Sequence, residues 1–429
     1  MAQLVARFVR IEEVRSSILP AIRESSIPMN PAAANLLSHL PHEETMAEEV
    51  NASEQNACDV AVNTSRFSTW TRLRALSLLL AVGALIVYGL FASLDLVDRT
   101  AGVDPDRSDA ALYEAIGHRV GDGENYYSAA ATEQRERGYP LRPFVTVREP
   151  ALAYATAAVG GPERMIAVLG IVAFGSAAAM AWRMDATAPG RIAWWASALL
   201  MTLTAGALVG PVQAVIHEVW AGMLMVLSLA FRTEKRFAAS VCLGLAAVLV
   251  RELAAPYLLI MAFFAWRGHK RRELLTWVIA IAMFTVAFSA HAVLVHTQTG
   301  SADPTSQGWL RFGGWPFVLD LVRRCSFLVF VPGWVAAVAI PLALLGWSSR
   351  RTPFADRVTV TVVAYIAAFM IIGRPENLFW GIMFVLLLIP GLAFAPSAIT
   401  QLAGRRRLRS TTPTTSAWVR PRRPFGRGL

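Results

Sequence analysis

The sequence predicts an all-α, polytopic membrane protein with about ten transmembrane helices and a helical first outer loop. Three observations predict it. Hydrophobic residues fill 55% of the 429 positions and charged residues only 16%. With a mean hydropathy of +0.46, much of such a chain would expose apolar surface in water and belongs in a bilayer. Apolar runs near the roughly 20 helical residues that cross a hydrocarbon core of about 30 Å recur from Ala75 to Leu402. The net charge of +10 is almost entirely arginine, with Lys235 and Lys270 as the two lysines, and most arginine clusters flank apolar runs. Charge so placed orients spans in a membrane, so membrane lipids are the expected partner and nucleic acid is not. Cys58, Cys242 and Cys325 are scattered without metal-ligand spacing and imply neither a disulfide framework nor a zinc site.

In chain order, residues 1–70 form a polar arm without the charged-then-apolar layout of a cleavable signal peptide, read as a mostly disordered cytoplasmic segment. The membrane domain is placed at 71–402. Span one runs from Ala75 to Leu94 behind Arg66, Arg72 and Arg74, and a polar loop follows at 95–149. Span two covers Met165 to Trp182. Trp194 to Leu208 and Val212 to Phe231 form a hairpin around Gly210-Pro211. Phe237 to Trp266, basic at both ends, holds about 30 residues, about 45 Å at 1.5 Å per residue. That is too long for one straight span and too short for two, so it enters and returns, broken near Arg251-Glu252 and Pro256. Leu274 to Val295, Ser326 to Trp347, Val358 to Ile372 and Leu378 to Ala395 complete the set, before a basic cytoplasmic tail at 403–429.

Every strongly basic short connection then falls on one side, which the positive-inside rule makes the cytoplasm, with both termini there. That arrangement suits the inner membrane of a bacterium, a source the arginine- and alanine-rich composition also suggests. The remaining polar clusters converge on the outer face: the 95–149 loop, His217-Glu218, Arg251-Glu252, Asp303 and the pair Arg374 and Glu376. Ionisable residues at membrane depth are costly unless paired or facing water, which makes these clusters candidates for function. Arg251-Glu252 reads equally well as a mutually paired hinge, and His217-Glu218 as a contact between helices.

The long loop carries the most information, because long loops in compact proteins are usually functional. Apolar residues at Ala111, Leu112, Ala115 and Ile116 predict a short amphipathic helix over 110–118. Asp122-Gly-Glu-Asn-Tyr-Tyr127 then places two carboxylates on a glycine-permitted turn, with a second helix-like run over 128–137. Arg137-Gly-Tyr-Pro140 turns the chain, and Val147-Arg-Glu-Pro150 brings Arg148 and Glu149 to a proline suited to the first turn of a helix entering the membrane. A carboxylate beside Tyr126 and Tyr127 near the bilayer surface can take a proton from a sugar hydroxyl or hold a divalent cation, Mg or Mn.

An acidic residue in the first outer loop, a Tyr-Tyr helix, Gly-x-Pro and a Pro-led return to the membrane together resemble the polytopic GT-C glycosyltransferases. The nearest pattern is that of the bacterial polyprenol-phosphate mannosyltransferase and aminoarabinose transferase relatives. The motif content covers 75–185. Two departures stand out: Asp-Gly-Glu replaces adjacent acids, and no large soluble domain follows the spans. The resemblance implies transfer of a sugar from a polyprenyl-phosphate donor on the outer face. Asp122 is then the first choice of base and Glu124 the second, and Tyr126, Tyr127, Arg148, Glu149, His217, Glu218, Arg251, Glu252, Arg374 and Glu376 lie around the substrate. Arginine suits the lipid phosphate because its planar fork binds phosphate oxygens in pairs. A transporter or flippase for a lipid-linked or small polar substrate is the alternative, since it too would gather charges near helix breaks.

Overall fold

A computed structural model describes residues 65–94, 108–184, 187–188 and 190–403. The N-terminal arm to residue 64, the tail beyond 403 and the first part of the 95–149 segment, with Asp95, Asp98, Asp104 and Asp106, lie outside the described residues. Every regular element among the described residues is a helix, and isolated β-bridges are the only strand-like pairings recorded among them. All belong to the unit Ala61–Leu429.

Arg72–Leu94 (α1) is the first apolar helix. Asp109–Gly121 (α2) and Tyr126–Glu136 (α3) follow, each started by a side-chain cap: the Ser108 hydroxyl accepts the Ala111 N–H and the Asn125 carbonyl accepts the Tyr127 N–H. These are the two helices expected in the loop. Ala151–Val159 (α4) was not expected separately. Pro150 does open a helix, but it runs nine residues and stops at Gly160, whose φ of 91° ends it in the left-handed region. The long apolar helix begins only at Pro162–Met184 (α5). Arg191–Ala207 (α6) comes next.

The expected run from Val212 to Phe231 is two helices, Pro211–Val215 (α7) and His217–Phe231 (α8), separated by extended Ile216 at φ −84° and ψ 118°. His217 and Glu218 therefore stand at a helix start rather than inside a helix. Ala238–Val250 (α9) and Ala255–Arg267 (α10) realise the broken run, with Arg251 extended at φ −152°. Arg271–Gln298 (α11) is the longest helix among the described residues. Gly314–Arg324 (α12) is an amphipathic helix that the span reading passed over, burying Val318, Leu319, Leu321 and Val322. Gly333–Ser348 (α13) and Pro353–Ile371 (α14) precede the last apolar segment, which alternates short 3-10 turns with Ile382–Leu388 (α15) and Ala395–Leu402 (α16).

Five helical segments are long and apolar enough to cross a membrane: 72–92, 162–184, 271–298, 353–371 and 378–402; α8, α9 and α13 are shorter apolar helices. Large apolar side chains point outward along several of them, Ile171 at 73% exposure and Val286 at 71% among them. Such faces suit lipid, not water. Inside, glycines admit close backbone approach: a Cβ on Gly346 of α13 would collide with the backbone carbonyl of Gly391.

Contacts sort the connections into two groups. Ser65 bridges Arg350, the Arg66 N–H donates to Ser349 O at 2.8 Å, and Arg66 pairs with Asp356. The Thr187 and Thr352 hydroxyls lie 3.4 Å apart, and Arg357 sits over the Phe264 ring at 4.8 Å. Lys270 donates to Glu234 at 2.9 Å and Arg232 to both oxygens of Glu273 at 2.6 and 2.8 Å. The basic connections thus meet at one face. At the other, the Leu141 N–H donates to Pro304 O and the Gly373 N–H to Trp309 O. The ion pairs joining 232–234 to 270–273 also fix the course of α9 and α10. Both start and end at the basic face, so they run out and back, and with 13 residues in each the tip at Arg251 lies about 20 Å from it.

Candidate active site

The segment 108–150 folds over that tip with a small core of its own. Leu112, Ile116 and Val120 of α2 bury against Tyr126, Ala129 and Ala130 of α3, with Leu141, Val147 and Val295 closing the cluster. Polar bonds lock it to the long helix. The Arg135 guanidinium binds both Asp303 oxygens at 2.8 Å, holding that carboxyl down at about 2. One His291 ring nitrogen lies 3.1 Å from Val147 O and the other 3.3 Å from the Tyr127 hydroxyl. Gln134 donates to Thr146 O at 3.1 Å, and the Tyr126 hydroxyl donates to Arg148 O at 2.6 Å. The backbone carrying Arg148 and Glu149 is thereby fixed from two sides.

Arg148 points into the protein, donating to the Tyr113 hydroxyl at 2.9 Å. The Tyr113 ring meets His217 edge-on at 4.8 Å. Arg251, 1% exposed, donates to Glu218 at 2.7 Å and pairs with the neighbouring Glu252. Arg148 lies within electrostatic reach of Glu218, Glu252 and Arg251, and Glu149 within reach of Glu252 and Arg251. Two guanidinium groups and three carboxyls therefore share one largely buried site, drawn from the segment 108–150, the start of α8 and the α9–α10 tip. A cavity of about 10 Å³ beside it, between Tyr113, Tyr126, Thr156 and His217, has room for one water. Both His217 ring nitrogens lack a hydrogen-bond partner among the described residues.

Three acids against two arginines leave one negative charge in excess if all ionise. Burial, then the charge of Glu252, pushes the Glu149 carboxyl well above the usual carboxylate range. Among the described residues no other residue donates a hydrogen bond to either Glu149 oxygen. Protonated, the group becomes a donor toward Glu252, and the cluster is neutral. The sign for stability follows: a carboxyl raised on folding favours the folded state at low pH, and that advantage is lost as pH rises through the folded pKa. Glu149→Gln cannot ionise, so its melting temperature in detergent should fall less between pH 5 and pH 9 than that of the wild type. Parallel curves would show that Glu149 does not titrate there.

The other expected site residues are held elsewhere. Glu124 accepts from Ser128 at 2.9 Å and from Arg119 at 2.9 Å, which hold its carboxyl below the usual range, and Arg119 also donates to Glu133 at 2.7 Å. Asp122 is exposed at the end of α2, its N–H donating to His118 O at 2.9 Å. Arg374 pairs with Glu376 at 2.9 Å within its own turn. The recorded contacts therefore unite Arg148, Glu149, His217, Glu218, Arg251 and Glu252, and leave Asp122, Glu124, Arg374 and Glu376 outside that network. Tyr113 and Arg119 were missed in the sequence: each occupies a helix position where periodicity predicts only a face, and nothing local signals a partner. Among the described residues no three of His, Cys, Asp and Glu gather to hold a metal ion, so the protein offers Mg or Mn no ready site among them. No known protein family, curated protein or solved structure matches this chain.

Proposed function

We propose that the protein is an integral membrane glycosyltransferase that moves a sugar from a polyprenyl-phosphate donor to an acceptor hydroxyl on the face opposite its basic loops. The observation that carries this reading is the placing of half-buried Arg148 within electrostatic reach of buried Arg251, beneath the segment 108–150. Charge that develops on a lipid-phosphate leaving group needs fixed cations, and cations positioned in a dry site act far more strongly than in water. The expected ten crossings become eight, by α1, α5, α6, α8, α11, α13, α14 and the 378–402 segment, with α9 and α10 as a re-entrant pair. The positive-inside rule sets the basic face and both termini in the cytoplasm of a bacterial inner membrane.

In the proposed step the acceptor oxygen attacks the anomeric carbon, the carbon–oxygen bond to the phosphate breaks, and the acceptor proton passes to a carboxylate. The lipid phosphate leaves as an anion toward the arginines. One displacement inverts the anomeric centre. Asp122 and Glu124 remain the proposed bases of the loop, joined now by Glu252, which shows the most side-chain exposure (19%) of the cluster acids in recorded ion pairs. The test is the purified protein in liposomes with a polyprenyl-phosphate sugar, scored for a new covalently glycosylated acceptor. A charged re-entrant tip about 20 Å deep also suits a transporter, whose sites lie at broken helices near mid-membrane. Donor crossing the bilayer with its sugar still attached, and no glycosylated product, would favour that second reading.

A further inference from the structure

A cleft of about 660 Å³ lies between the loop Leu141–Phe144 and the outer end of α11. We propose that it binds one anionic phospholipid of the adjoining leaflet, an inference that rests on the membrane reading alone and not on sugar transfer. Its lining changes character along α11. Leu141, Phe144 and Val293 are apolar, whereas Arg142, His296 and Ser301 are polar. A ligand with an apolar chain and a polar head matches that gradient, since apolar walls with a few placed polar groups fix both position and orientation.

The apolar end of the cleft continues the outward face of α11, where Val293 is 63% exposed and Met283 55%. A membrane-spanning helix meets acyl chains on such a face, so the chain in the cleft comes from the bilayer. The polar end carries a guanidinium whose hydrogen bonds go to neutral acceptors, with the Asp303 carboxylate within electrostatic reach. Arg135 takes the Asp303 carboxylate with two hydrogen bonds, so Arg142 is left with carbonyl oxygens: Nε donates to Asp303 O at 3.1 Å and a terminal nitrogen to Ser301 O at 3.0 Å. A guanidinium bound only to neutral acceptors keeps its attraction for a phosphodiester. The His296 ring adds a second nitrogen to the same wall. A bilayer phospholipid, not the sugar donor, is the occupant because the loop running from Phe144 to Arg148 stands between this cleft and the buried arginine site.

The protein in mild detergent, supplied with phosphatidylglycerol or phosphatidylcholine, gives the test by native mass spectrometry. The wild type should retain one more phosphatidylglycerol than Ala292→Trp, which fills the cleft, and several-fold less phosphatidylcholine. His296→Ala, at an exposed position, should weaken retention of phosphatidylglycerol without changing the melting temperature. If Ala292→Trp fails to fold, Val293→Trp serves instead. Equal retention by the filled variant, or equal retention of the two phospholipids, overturns the proposal. So does displacement of phosphatidylglycerol by an equal concentration of polyprenyl phosphate, which would make the cleft a site for the donor.

Discussion

Arg251→Leu is expected to abolish sugar transfer and to lower stability by about 3–5 kcal/mol, the usual consequence of removing one partner from a buried ion pair. The size follows from where the charge sits. Arg251 is 1% exposed and is the hydrogen-bonded partner of Glu218, which has no other side-chain partner recorded and is itself 3% exposed. With leucine there, Glu218 and Glu252 must stay charged with Arg148 as the remaining guanidinium in reach, or take up protons, and either course disfavours the folded state. Loss of fold alone could mimic loss of function. The double variant Arg251→Met with Glu218→Gln removes both charges together, so its melting temperature should recover most of the deficit while transfer stays absent. Arg251→Lys keeps a charge but not the planar fork, and should retain the fold with weakened transfer. Full transfer by the double variant would end the phosphate role for Arg251 and leave a structural hinge.

The second large effect concerns the base. Removing a positioned general base typically costs about 10² to 10⁴ in rate, and amide replacement removes the charge while nearly keeping the shape. Asp122→Asn alters an exposed side chain at the end of α2, so expression and melting should stay near wild type whatever its role. Glu124→Gln breaks surface contacts to Arg119 and Ser128, and Glu252→Gln removes one of two ion pairs made by Arg251. At least one of these three should lose transfer by that factor while remaining folded. Three variants with wild-type transfer would place the base outside them, with Asp95 or Asp98 next to be changed.

The described part of the 95–149 segment is built much as its local pattern predicts. Apolar spacing over 111–116 gave α2 and the run over 128–137 gave most of α3, because such patterns act within one or two turns, whereas the Asn125 cap came from the structure. The break at Arg251 was equally legible: a run basic at both ends that is too long for one span has to turn back. The break at Ile216 was not, since nothing near Val215-Ile216-His217 forbids a continuous helix and only packing around the tip favours the interruption.

Hydropathy alone pointed to an all-helical chain with apolar helices suited to a membrane, because it acts locally and needs no partner, but it missed α4, α12 and the break between α7 and α8. The tertiary structure alone decided which charges meet. Glu218 is 33 positions from Arg251, Arg148 joins them from the segment before α4, and Glu124 turns to Arg119 five positions away. An acid in sequence carries the same charge toward every arginine, and folding selects among them. At close range in a low dielectric that selection is worth several kcal/mol, and it is made by chain geometry that no local pattern records.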